Sequence, residues 1–353
     1  MRDIAHEQTD GIILELEKKL GKEYEKAQKE LQAKLDDYLR RFEAKDKRWQ
    51  EWVKAGERTE AEYKQWRTGQ IMMGKRWEDM RDTMAAELHN VNVTAREIVS
   101  KEKPTVYVIN HDYMTFRIEQ QSRIDTSYVL FNKDVTNRIV AGNPKILPDP
   151  GKNMKARIAA GKDIAWQEGQ IQSVTLQSIL QGESIPTMTK RIAQTMGETN
   201  HKSTIRYART AMTSAENGGR IHAMERAQSM GIRLQKAWMA VLDGRTRDSH
   251  VDLDGQTVDV EEPFLSDHGY IMFPGDPYAH PAEIWNCRCT MVTQMEGYEH
   301  DLSDLSWRNT ENMEEESYDD WKQNHKARSE PITHDEDVAE TIRRQYIAEY
   351  RRG

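Results

Sequence analysis

Cys287 and Cys289 are the two cysteines of this 353-residue chain, and one residue, Arg288, separates them. On an extended strand alternate side chains share a face, so both thiols point the same way. A disulfide across one intervening residue is strained, whereas two thiolates on one face suit a bound metal. His250 is the natural third ligand and His280 the expected fourth, with His268 and Asp254 as substitutes, so a structural zinc is one reading. Buried thiols beside a hydrogen-bonded His250 are a second reading, and reactive cysteine chemistry is a third.

The same stretch is rich in acids. His250 with Asp248, Asp252, Asp254 and Asp276 could form the centre of a metal-dependent nuclease or hydrolase. Those acids also have backbone duties: Asp243 and Asp254 precede glycines, and Asp276 sits between Gly275 and Pro277. The expectation is therefore a non-enzymatic protein, with the enzyme as the alternative.

The elements around this chemistry are short. Leu234 to Leu242 reads as a strand with Leu234, Trp238 and Leu242 on one face. Asp243-Gly244 ends it, residues 245–250 turn into one helical turn, and Asp254-Gly255 marks a hairpin into a strand at 256–260. Pro263-Phe264 and Phe273 to Pro277 read as rigid loops, 281–285 as a helical turn, and 288–295 as a last strand. Such a unit has little apolar content, so it needs a staple or a helix to pack on.

Upstream, Ser184-Ile-Pro-Thr opens a helix over Met188 to Met196 with Thr187 as its cap, and Thr199 or Asn200 caps the next, which ends near Gly231. Its face Ile205, Ala208, Met212, Ala215, Gly219 is small enough for another backbone to approach. Arg209, Glu216 and Arg220 suit an internal ion-pair ladder. Alternatively, Arg206, Arg209 and Arg220 face nucleic-acid phosphates, making this a sequence-independent DNA-binding module with weak contacts.

Toward the N-terminus, Leu16, Leu20, Tyr24, Ala27, Leu31, Leu35, Tyr38 and Phe42 trace one helical stripe over 12–53, repeating at eleven residues and interrupted at Asp46. Either the stripe packs within the chain or it offers self-association. Residues 59–87 form the return helix of a hairpin, with tryptophans from Trp49 to Trp77 as helix contacts, and a third helix covers 90–99. Val106, Val108, Tyr113 and Phe116 alternate over 105–118, which suggests a short hairpin or extended arm around Asn110 and a surface His111. Three prolines and two glycines make 142–151 a hinge, and helices resume near Met154.

The fold class expected is α+β, predominantly α. The divisions are an N-terminal helical hairpin (1–100), a mainly helical central region (101–185), a mixed unit (186–295) and an acidic arm with a terminal helix over 335–352 (296–353). A net charge of -8 argues against a DNA-coating protein. Eleven Lys or Arg face four acids in 186–247, whereas 248–283 has nine acids and no Lys or Arg, which suggests internal pairing. No segment is apolar enough to span a bilayer, the start MRDIAHEQTDG lacks a secretory pattern, and the cysteine usage suits a reducing cytoplasm.

One further pattern is specific. Ala208-Arg209-Thr210, Asn217 to Arg220, Trp238, Leu242 to His250, Leu253-Asp254-Gly255, Pro274 to Pro277, Glu283 and Asn286 to Thr290 occur in order over 186–292. This set resembles the phage Mu F-like minor head proteins. The resemblance implies structural roles for Asp243, Arg245, Arg247, Gly255, Pro274, Gly275, Asp276, Glu283 and Asn286. It also implies a virion protein of the head interior or portal vertex, assembled in the host cytoplasm. Its partners would be the portal protein and capsid or scaffold proteins, and its role head morphogenesis and genome packaging or delivery.

Overall fold

A computed structural model describes residues 3–126, 128, 130, 146, 149–150, 162–295 and 317–328. The chain is predominantly α, with a small antiparallel sheet after its last long helix. Helices α1 (Ile4–Lys54), α2 (Glu60–Ile71), α3 (Lys75–Ser122), α4 (Lys162–Leu180) and α5 (Ile185–Ser229) come first. Then follow β1 (Leu234–Met239), α6 (Asp248–Leu253), β2 (Thr257–Asp259), β3 (Phe264–Ser266), β4 (Gly269–Ile271), α7 (Pro281–Ile284), β5 (Thr290–Met295) and α8 (Tyr318–Arg328). The chain divides into two compact units, 1–14 with 99–150 and 209–353, and 15–98 with 151–208.

Among the described residues the second of these units contains helices and no strand. The eleven-residue stripe of α1 is buried: Leu16, Leu20, Tyr24, Ala27, Leu31, Leu35 and Tyr38 are each less than 10% exposed. Leu31, Leu35 and Leu39 pack with Trp77, Met84, Leu88, Ile171, Ile179, Met188 and Ile192 in one core. Asp46, where the stripe breaks, is buried opposite Arg67 at 3.0 Å and accepts the Tyr63 hydroxyl at 2.9 Å. The interruption is thus an inward ion pair rather than a weak point. Thr59 and Glu62 form a reciprocal capping box that starts α2, and Trp49 stacks on Trp66 at 5.4 Å across the hairpin.

Three expectations differ here. The return helix over 59–87 is broken, because α2 stops at Ile71 and α3 begins at Lys75. The separate helix at 90–99 is part of α3. Neither Thr187 nor Asn200 starts a helix: α5 runs unbroken from Ile185, and Ser184 Oγ accepts the Thr187 N–H. Asn200 is instead buried in mid-helix, bonding Gln167 and Asn92 through side-chain amides.

The other unit carries the sheet, ordered β2-β1-β5 and antiparallel throughout, with Leu234 opposite Met295 and Met239 opposite Thr290. Met114, Ile118, Ile221, Met224, Leu234, Val260 and Met291 form the core between helices and sheet. Leu242, expected on the strand face, lies beyond β1 and is 63% exposed. The rigid loop read at Pro263-Phe264 leads into a β3–β4 hairpin.

The extended arm expected at 105–118 is helical. Val106, Tyr107, Asn110, His111, Met114 and Ile118 recur at helical spacing and all are buried. With 110–116 buried all round, Val106, Val108, Tyr113 and Phe116 belong to a helix enclosed by the core rather than to a strand or hairpin. His111 is fully buried against the Tyr128 hydroxyl at 3.0 Å, and burial holds its imidazole well below its usual pKa. Gly219 of α5 meets α3 directly: a Cβ there would collide with the Tyr107 carbonyl oxygen and lie 3.1 Å from the His111 nitrogen. The small face of α5 therefore has a concrete use. Residues 142–145, 147–148, 151–161, 296–316 and 329–353 lie outside the described residues, and with them most of the hinge, the helix start near Met154, most of the arm and the terminal helix. The described part of the arm is the helix α8, with Tyr318 and Trp321 buried. Among the described residues no helix is long and apolar enough to cross a membrane.

Candidate functional site

The Cys-x-Cys segment lies between α7 and β5, held down by one face of α5. Thr210 Oγ1 accepts the Asn286 N–H at 3.0 Å, Thr213 Oγ1 donates to the Cys287 carbonyl at 2.8 Å, and Asn217 Nδ2 donates to the Cys289 carbonyl at 3.2 Å. Positions 210, 213 and 217 share one helical face, so α5 presents three polar groups in a row to a loop. Asn286 has φ of 57°, a left-handed conformation that asparagine tolerates better than most residues.

This placement brings Cys287 and Cys289 against His250 of α6. Nδ1 of His250 lies 3.3 Å from Cys289 Sγ and 3.8 Å from Cys287 Sγ. All three residues are at most 2% exposed. On the other edge of the imidazole, Nε2 lies 2.8 Å from Glu283 Oε2; the approach is short but misses ideal hydrogen-bond geometry, so its weight is electrostatic. Glu283 is itself buried, accepting from Ser249 Oγ at 3.0 Å and contacting His268 Nδ1 at 2.7 Å. Burial opposes its charge, but the bonds from His268 and Ser249 prevail and hold its carboxyl below the usual range.

Trp238 meets His250 edge-on at 5.5 Å, and Leu253, Phe264 and Ile271 complete the apolar wall around the sulfurs. The two thiols are inequivalent. A hydrogen bond from Cys287, helped by His250 and Trp238, favours the thiolate at Cys289 against the cost of burial. Cys287, donating to its neighbour and buried, is pushed well above its ordinary value.

Of the four ligands expected from sequence, the structure brings three together. His280 is exposed, stacks on His268 at 5.1 Å, and uses Nδ1 to cap Ala282 N–H at the start of α7. Glu283, which the metal reading had not included, lies on the imidazole edge opposite the two sulfurs. Its burial two residues after Pro281 had no local signal, because Ser249 reaches it from α6 and His268 from the β3–β4 turn.

A family model described as phage Mu protein F like protein matches residues 169–292, from mid-α4 to β5. Minor head protein GP7 of Bacillus phage SPP1 is 25% identical over 290 residues, which is 82% of this chain and 85% of that protein. Over residues 169–292 the chain is similar to the phage Mu F-like proteins, and over most of its length to a minor head protein. The NAD(+)--arginine ADP-ribosyltransferase EFV of Enterococcus faecalis (strain ATCC 700802 / V583) is 28% identical over 58% of this chain. An uncharacterized protein of Haemophilus influenzae (strain ATCC 51907 / DSM 11121 / KW20 / Rd) is 25% identical over 60%. The chain spans 40% and 42% of the lengths of these last two relatives. No solved structure matches.

The remaining Mu F-like motif residues have defined partners. Asp243 takes a two-pronged contact from Arg288 at 2.6 and 2.7 Å and the Arg245 N–H at 2.9 Å. These bonds, Arg288 foremost, hold its carboxyl well below the usual range. Arg247 donates to the Trp285 carbonyl. Asp254 Oδ1 accepts the Ala240 N–H at 2.7 Å, and Gly255 N–H donates to the Trp238 carbonyl at 2.9 Å. Asp276 accepts from Met272 and Tyr278 N–H groups, and burial raises its pKa. Pro274 is buried, and Gly275, at φ 79°, brings its Cα against α5, where a Cβ would sit 3.0 Å from the Ser214 nitrogen. Asp254 and Asp276 thus bond to nearby backbone, Asp259 to Gln235, and Glu283 to Ser249 and His268, rather than to the basic helix.

The three arginines of the phosphate-facing reading part company. Arg206 is exposed, Arg209 is half-buried and Arg220 is fully buried. Arg220 spends its guanidinium on Asp3, Asn110 and the Met291 carbonyl, which leaves no donor for a phosphate. The ladder reading fares better: Arg220 Nη2 lies 3.5 Å from Glu216 Oε1, one turn back on α5.

Proposed function

We propose that this protein is a minor component of a phage head, associated with the portal protein and with capsid or scaffold proteins. In this reading it serves head morphogenesis and genome packaging or delivery. Its role is structural, and its place is the virion after assembly in host cytoplasm. The observation that carries the reading is the near end-to-end correspondence with a minor head protein, 82% of one chain against 85% of the other. The geometry supports it: the motif acids Asp243, Asp254, Asp276 and Glu283 are tied to arginines, backbone N–H groups and histidines within the unit. Residues used in this way hold a loop-rich unit in shape.

Co-expression with the portal protein of the same phage tests the reading. The chain is expected to co-purify with the portal and to be retained in procapsids. A chain that stays monomeric beside its portal and is absent from procapsids refutes it. The enzyme alternative is tested separately, since divalent metals with DNA or ester substrates, or NAD with an arginine acceptor, should give no turnover.

A further inference from the structure

His250, Cys287 and Cys289 turn their side chains toward one another inside a small apolar core. We propose that His250 Nδ1, Cys287 Sγ and Cys289 Sγ bind one structural zinc ion, with Glu283 as the carboxylate behind the imidazole. This goes beyond the assembly role and does not depend on it.

Zinc sits about 2.3 Å from thiolate sulfur and about 2.0–2.1 Å from imidazole nitrogen in a tetrahedron, which places N and S about 3.6 Å apart. The two N···S separations here are 3.3 and 3.8 Å, and the three donor atoms all lie within 4.8 Å of one another. Both N···S edges of a tetrahedron are therefore already at the spacing the ion needs. The fourth corner falls to a solvent molecule, because His280 caps α7 and stays exposed.

Two thiolates and one imidazole select zinc over the hard cations that carboxylates and water attract. Glu283 Oε2, 2.8 Å from His250 Nε2, supplies the carboxylate–histidine arrangement that orients a ligating imidazole. The surrounding core is small, with Trp238, Leu253, Phe264 and Ile271 as its large apolar members, and a bound ion would close it. Binding displaces the thiol protons to solvent as each sulfur becomes a ligand.

The test uses the full chain purified without chelator, measured by native mass spectrometry and metal analysis. One zinc per chain is expected, and replacement by cobalt should give thiolate-to-metal charge-transfer absorption with the spectrum of a tetrahedral ion. Cys287→Ser with Cys289→Ser should abolish both. His280→Ala should keep both, and Glu283→Gln should weaken zinc binding by about 10–100-fold. Metal retained by the double cysteine variant would place it elsewhere, for example at Glu119, Asp125 and His325, and would overturn the proposal. If the cysteine variants do not fold, the wild-type chain decides. No cobalt–thiolate band, or an intact mass showing the two thiols joined, overturns it equally.

Discussion

Arg220, deep in α5, grips Asp3 with two nitrogens, at 2.6 and 2.8 Å, across 217 residues of sequence. The same guanidinium donates to Asn110 of α3 and to the Met291 carbonyl of β5, so one side chain joins four stretches of its unit. Breaking one partner of such a buried pair leaves an uncompensated charge. Arg220→Ala and Asp3→Ala should each cost about 3–5 kcal/mol in denaturant unfolding. Replacing both should cost less than the sum of the two. Losses below 1 kcal/mol would remove Arg220 from the centre of the unit.

His6 sits beside this pair, its Nδ1 2.7 Å from Glu216 Oε1. Burial works against its charge, but Glu216 and Asp3 prevail and raise its pKa to about 9. The folded chain therefore holds this proton more tightly than the unfolded chain. The added stability is complete below pH 6.5, the ordinary histidine value, and fades as pH rises through about 9. A shift of that size corresponds to no more than about 3 kcal/mol. Unfolding curves of the wild type and His6→Gln should differ most below pH 6.5 and converge toward pH 9. A gap independent of pH would mean that His6 is uncharged in the fold.

Gly218 and Gly219 make a paired comparison. A Cβ on Gly218 approaches no atom closer than the Ile146 oxygen at 4.0 Å, whereas one on Gly219 runs into α3. Gly218→Ala should be neutral or stabilising by about 0.5–1 kcal/mol, since alanine favours helix. Gly219→Ala should destabilise by about 1–3 kcal/mol, the usual cost of overpacking. Equal melting temperatures for the two variants would contradict the close approach of α5 to α3.

How much of this was legible beforehand depended on how local the signal was. The α1 stripe could be read because Leu16 to Tyr38 repeat within one helix and are buried there. The second half of α3 was misread because Val106, Val108 and Tyr113 favour strands, while Asn110 and His111 looked like turn residues. Tertiary burial overrode those preferences: Asn110 receives Arg220, and His111 meets Tyr128. Asn200 failed as a cap for the same reason, since its amide is wanted by Gln167 inside the core. In the site, His250, Cys287 and Cys289 stood out because turn chemistry did not account for them. Glu283 was marked only through the family resemblance and Asp3 not at all, as their partners lie on α6 or 217 residues away.

Asn286 offers a smaller test of the loop that places the cysteines. At φ of 57° glycine fits without strain, whereas a β-branched residue does not. Asn286→Gly should leave the melting temperature nearly unchanged, and Asn286→Val should lower stability by about 1–2 kcal/mol. Indistinguishable variants would show that the left-handed turn is not needed.

The assembly role is tested most directly by counting this chain in particles. Quantitative mass spectrometry of procapsids assembled with and without the portal protein would give its copies per particle. A few copies are expected when the portal is present, falling to background when it is omitted. An equal amount in both preparations, or none in portal-containing procapsids, would contradict the account.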